Sequence, residues 1–321
     1  MSNSSLSIQI LRRAPAPGAH RREQKGCVAT IGNFDGVHRG HQKVIAGLQV
    51  AGARLGLPSV VISFEPLPRE YFAGRQSPPR LTRFREKAEQ LDQLGVARFL
   101  CMPFDDGLAQ QCPEDFIQQV LVEGLGVRYL VVGDDFRFGR DRAGDFALLK
   151  RAGERYGFEV IDTQTVTEDA KRISSTRIRE LLERGDLDEA AELLGRRYAM
   201  SGRVAHGDKR GRIMGYPTAN IHIHRQKTPV QGIFVVRMHG LEEGPVDGVA
   251  SLGVRPTFEG DGKAVLEVHL FDFARSIYGE HVQVEFLHKI RDEEKFDSME
   301  TLIAAIDDDA RCARAWFASA R

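Results

Sequence analysis

Two hydrophobic rhythms share this chain and meet near Arg196. From Gly26 to about Gly185, short β-rich apolar runs alternate with helical segments. The runs are CVATI (27–31), SVVISF (59–64), RFLCMPF (98–104), YLVVG (129–133) and FEVIDTQTV (158–166). Between them lie REKAEQLDQLG (85–95), with Leu91 and Leu94 on one face, and PEDFIQQVLVEGLG (113–126), with Phe116, Ile117, Val120 and Leu121 at helical spacing. Strand, helix, strand repeated in this way predicts a parallel sheet covered on both faces, with ligands gathering beyond the carboxyl ends of its strands. After two short helical segments (175–194) the texture changes. GRVAHG, TANIHI, GIFVVRM, DGVASLGV, AVLEVHLF and HVQVEFL are β-type runs separated by Gly, Pro and Asp turns, and a helix follows near 298–317. That pattern predicts a small antiparallel β-barrel with a terminal helix. The expected organisation is an α/β domain over 1–185, a linker over 186–196 and a barrel domain over 197–321.

A length of 321 residues exceeds what one core usually serves, and an apolar content of 42% can fill two. Lys plus Arg (45) balances Asp plus Glu (45), so no net field points to nucleic acid or an anionic membrane, and phosphate recognition must be local. Cys27, Cys101, Cys112 and Cys312 have no CxxC spacing, which argues against zinc and a disulfide framework and leaves them as packing residues. The first residues lack a signal-peptide apolar stretch, and no run is long enough to span a bilayer. The expectation is a soluble, cytoplasmic protein with no nucleic-acid, membrane or obligate protein partner.

GNFDGVHRGHQ (32–42) follows the first apolar run and leads into a helix. The first turn of a helix presents unpaired N–H groups and the positive end of the macrodipole, a ready anion site to which His38 and His41 can add hydrogen bonds. A surface turn that merely tolerates two histidines is the competing reading. Three further pieces follow later strands: FEPLPREYF (64–72), GDDFRFGRDRAG (133–144) and ISSTRIRELL (173–182). In the last, Ser174, Ser175 or Thr176 can cap a helix while Arg177 and Arg179 can reach a polyphosphate, or the arginines are simply solvated.

Together these pieces resemble the nucleotidylyltransferase superfamily, through the His-x-Gly-His element at 38–41 and the Ile-Ser-Ser-Thr-x-x-Arg element at 173–179. Class I aminoacyl-tRNA synthetases share the first element but normally pair it with a lysine-rich loop. GNFDGVH, FEPLP and GDDFRFG resemble the FAD synthetase branch in particular, with Leu67 standing where many relatives carry His. The resemblance implies a Rossmann-like domain in which the FMN phosphate attacks the α-phosphorus of ATP and pyrophosphate leaves, chemistry that needs positioning and charge stabilisation. It makes His38 and His41 catalytic, and assigns Gly32, Asn33, Phe34, Asp35, Gly36, Gly40, Asp135, Ser174, Ser175, Thr176, Arg177 and Arg179 to nucleotide and phosphate binding.

GRVAHGDKRGRIMGYPTANI (202–221) combines a glycine-rich half with Pro-Thr-Ala-Asn. Gly202, Gly207, Gly211 and Gly215 can mark hairpin turns, and Pro217 can open an edge strand. Alternation places Thr218 and Asn220 on one strand face, two oxygen-bearing side chains suited to Mg²⁺. In LEVHLFDF (266–273), Glu267, His269 and Phe271 share a face, and a strand carboxylate there either meets solvent or serves as a general base. These residues resemble the riboflavin kinase family, with support from SLGVRPTF (251–258), YGEHVQVEFL (278–287) and IRDEEKFDSMETL (290–302). The resemblance implies that Glu267 activates the riboflavin 5′-hydroxyl toward the γ-phosphorus of ATP. It further implies that Thr218 and Asn220 hold Mg²⁺, and that Gly207, Gly211, Gly215 and Pro217 line the nucleotide. Both matches, in this order, resemble the bacterial bifunctional riboflavin kinase and FAD synthetase family, whose substrates and products are riboflavin, FMN, FAD, ATP and pyrophosphate. Two rivals remain at this point: a transferase for another phosphorylated alcohol with a flavin-binding barrel, and a nucleotide-binding regulator without catalysis.

Overall fold

The computed structural model describes residues 6–16, 26–133, 135–163, 173–206, 215–255 and 263–319. They form two compact units: Ser5–Pro78 with Thr82–Ser174, and Pro79–Leu81 with Ser175–Arg321.

The first unit is a six-stranded parallel sheet of β1 (Gln9–Leu11), β2 (Cys27–Ile31), β3 (Ser59–Glu65), β4 (Arg98–Pro103), β5 (Val127–Val132) and β6 (Glu159–Asp162). Its spatial order is β1-β4-β3-β2-β5-β6. Every residue of β2 is buried, as expected of a central strand with both faces covered. Helices α1 (Arg39–Leu55), α2 (Phe84–Gln93) and α3 (Phe146–Tyr156) supply the cover. One face packs Ile62, Leu100 and Leu130 with Phe116, Leu121 and Leu149. The other packs Val61 and Phe99 with Ile45 and Leu91. Successive strands β3 and β4 add on one side of β2, and β5 and β6 on the other. The carboxyl end of β2 is therefore the topological switch point, where doubly wound sheets open a crevice for ligands.

Three local features depart from the sequence reading. QIL (9–11) adds β1 as an edge strand beside β4. Its three residues are too few to show periodicity, and the Asp92 carboxylate on α2 secures its start by accepting from the N–H of Ile8 at 2.8 Å. The helix expected over 113–126 is a short α-helix, Pro113–Phe116, continued by a π-helical stretch, Ile117–Leu125, that buries Ile117, Val120 and Leu121. Of the cysteines only Cys27 and Cys101 are buried, so only these two are core packing residues; Cys112 accepts from the Asp115 N–H at 3.4 Å, and Cys312 is exposed.

The second unit contains a closed barrel of β7 (Ala199–Ala205), β8 (Ala219–His222), β9 (Gly232–His239), β10 (Val246–Arg255), β11 (Lys263–Leu270) and β12 (His281–Arg291), ordered β10-β11-β8-β7-β12-β9 with antiparallel neighbours. Phe234 and Phe286 meet edge to face, ring centroids 5.2 Å apart, among its fully buried side chains. Gly202 lies inside β7 rather than in a turn, and glycine is needed there for close strand approach: a Cβ would stand 2.5 Å from the His222 carbonyl oxygen. Helices α4 (Ser175–Arg184) and α5 (Leu187–Leu194) precede the barrel, and α6 (Met299–Ser319) packs Ala310, Ala313 and Phe317 against Ile233, Val235, Val249 and Leu287 on its outside.

Candidate active sites

The loop from β2 to α1 reverses the chain through left-handed backbone at Phe34 (φ +47°), Gly36 (φ +87°) and Val37 (φ +42°). For a β-branched valine this conformation is strained, and such strain persists only where the surroundings enforce it. Here the Phe34 and Val37 side chains are buried, which anchors the loop by its apolar residues. Polar ties complete the hold. Buried Asp35 accepts from the Arg69 guanidinium at 2.8 Å and from the Thr82 N–H at 3.0 Å. The Gly36 N–H donates to Thr82 Oγ1 at 2.9 Å. In this structure Asp35 and the Gly36 amide thus shape the loop from within.

His38 is the N-cap of α1, in extended conformation, and its Nδ1 accepts from the His41 N–H at 3.4 Å. An accepting Nδ1 carries no proton, so a neutral His38 places its hydrogen on Nε2. The His41 ring stacks on it with centroids 3.6 Å apart and planes 16° apart. Burial, the adjacent His38 and then Lys87 hold the His41 pKa well below the usual histidine value, so the stack contains a neutral imidazole. The Nδ1 of His41 is buried with no hydrogen-bond partner in the structure. Gly40 allows the stack to form: a Cβ there would stand 3.2 Å from His38 Nδ1. With His41 capped, the N–H groups of Arg39 and Gly40 are first-turn donors with no partner available inside the helix.

The remaining sheet-unit residues fall as follows. Gly32 donates its N–H to the Ile62 carbonyl at 3.0 Å at the end of β2, and Asn33 is exposed. Asp135 is exposed in the turn after β5 that Phe136 closes by donating to Gly133 at 3.1 Å. Leu67 is buried, in keeping with its apolar character. Ile173 comes close to the loop: its Cβ would lie 3.8 Å from a Cβ on Gly40. Ser174 follows it, still in the sheet unit, and Ser175 opens α4 in the other. In α4, Thr176 is exposed, Arg177 pairs with Glu189, and buried Arg179 donates to the Pro79 carbonyl at 2.6 Å.

In the barrel unit, β8 pairs with β11 so that Asn220 stands directly opposite Glu267. Directly opposed residues of antiparallel strands share a face. Ser251 of β10 is opposite Glu267 on its other side, giving the polar row Asn220, Glu267, Ser251 across three strands. Thr218, two residues before Asn220, joins it in lining a cavity of about 450 Å³ with Pro217, Arg275 and Tyr278. Glu267 is not itself a lining residue; its neighbours Val268 and Leu270, from the alternate face of β11, are. The His269 ring contacts the Pro217 carbonyl at 2.9 Å, fixing the entry to β8. Gly215 has φ +85°, where glycine is favoured. Gly207 and Gly211 lie outside the described residues.

Sequence reasoning missed Lys87, Ser63, Thr82 and Arg69. Lys87 is buried on α2 and donates to the Asn33 carbonyl at 2.6 Å and to Ser63 Oγ at 3.3 Å. Its signal was present: Lys87, Ala88 and Leu91 fall at i, i+1 and i+4, on the face of α2 that the periodicity marks as buried.

The FAD synthetase family matches residues 20–177 and the riboflavin kinase family residues 194–317. The chain is 50% identical over 294 residues to the bifunctional riboflavin kinase/FMN adenylyltransferase of Escherichia coli (strain K12), covering 92% of this chain and 94% of that one. It is 48% identical over 315 residues to the protein of the same name from Haemophilus influenzae, covering 97% of this chain and all of that one. A crystal structure described as a macrolide-efflux protein from Streptococcus pneumoniae aligns with 96% of this chain and 100% of its own, at a TM-score of 0.77 and 31% identity. Among the described residues no helix is long and apolar enough to cross a membrane. With the two families matched one after the other along the chain and relatives of about half identity covering nearly all of it, the chain belongs to the bifunctional riboflavin kinase/FMN adenylyltransferases.

Proposed function

We propose that the barrel unit phosphorylates riboflavin to FMN with ATP, and that the sheet unit adenylylates FMN to FAD with release of pyrophosphate. The observation that carries the second step is the stacked His38–His41 pair at the amino end of α1, at the sheet's switch point. An FMN phosphate oxygen attacks the α-phosphorus, and the bond to the bridging oxygen of pyrophosphate breaks. Negative charge grows on the departing oxygens, where oriented donors help most. His38 Nε2–H and the amides of Arg39 and Gly40 provide such donors, and the unpaired His41 Nδ1 is a group that a ligand can complete. In nucleotide-free protein His41 acts as a hydrogen-bonding group rather than a cation. Ser174, with Ser175, Thr176 and Arg177 after it in the chain, is the segment we assign to the pyrophosphate. Arg179, whose Nε donates to the Pro79 carbonyl, is assigned to the phosphates with them.

In the barrel unit Glu267 accepts the proton of the riboflavin 5′-hydroxyl as its oxygen attacks the γ-phosphorus and ADP departs. Among the described residues no group of three or more His, Cys, Asp or Glu could hold a metal. Thr218 and Asn220 offer neutral oxygen donors on one strand face beside the cavity, which fits Mg²⁺ sharing its ligands with ATP phosphates. That ion would offset phosphate charge. Incubation of the full chain with riboflavin, Mg²⁺ and ATP, followed by chromatography of the flavins, tests both steps: FMN then FAD is expected. FMN alone would overturn the sheet-unit assignment, and no product would overturn both.

A further inference from the structure

We propose that Lys87 is a positioning residue for adenylyl transfer: its buried ammonium fixes the Asn33 carbonyl at the floor of the phosphate loop and brings a positive charge up behind the two histidines. The proposal rests on the adenylyltransferase reading of the sheet unit.

Geometry is its first support. Lys87 lies in the first turns of α2, yet its side chain runs inward to the carboxyl ends of β2 and β3 and is only 3% exposed. There it donates to the Asn33 carbonyl at 2.6 Å, and to Ser63 Oγ, which itself donates to the same carbonyl at 3.2 Å. A buried charge is costly unless its hydrogen bonds are met, and a methionine would fill the space without that cost. The site therefore uses the charge as well as the volume. Asn33 is the second residue of the GNFDGVHRGH loop, so holding its carbonyl inward sets the start of the strained stretch that ends at His38.

Electrostatics is the second support. Burial does most to lower the His41 pKa, and the charged groups that add to it are His38 on its own loop and then Lys87 on α2. The other charges tied to the loop, Asp35 and Arg69, pair with each other at 2.8 Å. Lys87 thus helps hold His41 neutral, with a positive charge behind it as phosphate charge develops in front.

The test uses the full chain with Lys87→Met and Lys87→Arg. A cooperative melt and the dispersion of the sheet unit's NMR signals report folding around the substitution, and riboflavin phosphorylation by each variant reports that the barrel unit is intact. In folded Lys87→Met, kcat for FAD formation from FMN should fall about a hundredfold, the scale of a small misplacement of reacting groups. KM for ATP should change little, because the Lys87 ammonium is engaged by the Asn33 carbonyl and Ser63 Oγ and acts on ATP only through the loop they hold. The His41 imidazole, followed by NMR, should titrate at higher pH than in the parent, and the acid limb of the pH–rate profile should move up with it. Lys87→Arg keeps the charge and should keep the low His41 midpoint and measurable FAD formation. A folded Lys87→Met with an unmoved His41 midpoint, or with parental kcat, overturns the proposal. If Lys87→Met does not fold, Lys87→Arg decides: a raised His41 midpoint in that variant overturns it. Should the parent protein make no FAD, the adenylyltransferase reading fails by itself, while the His41 titration still judges the electrostatic role of Lys87.

Discussion

Gly40 has no side chain, and a Cβ there would press on His38 Nδ1 at 3.2 Å and Cε1 at 3.3 Å. Gly40→Ala should therefore tilt His38 off His41, whereas His41→Ala removes one ring outright. Both should depress FAD formation from FMN, His41→Ala by about a hundredfold or more, the usual effect of deleting one transition-state donor. Riboflavin phosphorylation should persist in both, and equal loss of the two activities in folded protein would contradict the assignment. The same histidine makes stability depend on pH. Its folded pKa lies below the unfolded value of about 6.5, so the unfolded chain binds the extra proton and stability falls on acidification below that value. Chemical denaturation at pH 7.5 and 5.5 should show the parent losing more stability than His41→Ala, with the other groups cancelling in the comparison. In the barrel unit, Glu267→Gln keeps the shape opposite Asn220 and removes the base. Kinase turnover should drop about a hundredfold to ten-thousandfold while adenylylation of supplied FMN continues. A parental kinase rate would reduce Glu267 to a strand residue.

At the level of elements, legibility followed burial pattern. CVATI, SVVISF and YLVVG announced themselves because a strand buried on both faces reads as a continuous apolar run. The barrel strands were visible through alternation, as in Leu266, Val268 and Leu270 facing in and Glu267 and His269 between them. Motif residues were legible because glycine and histidine spacing is local. The support for them was not: Asp35 to Thr82 and Asn33 to Lys87 join residues 47 and 54 positions apart, pairings that only the folded sheet brings together. Another such pairing fastens the terminal helix. Arg291 at the end of β12 makes two bonds to Asp309 of α6, at 2.8 and 2.7 Å, and the Asp309 side chain is only 8% exposed. Asp309→Asn should cost about 1.5–3 kcal/mol, the range for hydrogen bonds to charged groups, and should speed amide exchange across α6 before the barrel strands. Uniform exchange in both elements would show that apolar packing alone holds the helix.

For the whole molecule, the position of the division between units has a direct consequence for dissection. Composition places the change near Arg196, but the compact unit that holds the barrel begins at Ser175. Helices α4 and α5 bury Ile178, Leu181, Leu182, Leu187, Ala190 and Leu194, and at Gly185 between them a Cβ would meet the aliphatic stem of Lys289 on β12 at 2.5 Å. A fragment of residues 197–321 keeps Thr218, Asn220 and Glu267 but sheds this cover. A fragment of 175–321 retains it. Both lose Pro79–Leu81, whose carbonyls receive Arg225 at 2.6 Å and the Tyr198 hydroxyl at 3.3 Å, so each should melt below the full chain. The longer fragment should melt several degrees above the shorter, since each kcal/mol is worth about 2–8 °C in domains of this size. It should also convert riboflavin to FMN in Mg²⁺ and ATP at the higher rate at 37 °C. Equal melting temperatures and equal kinase rates would mean that α4 and α5 contribute nothing to the barrel and that the boundary belongs near Arg196. A well-folded 175–321 fragment that binds ATP yet makes no FMN would place an essential part of the kinase in the first 174 residues.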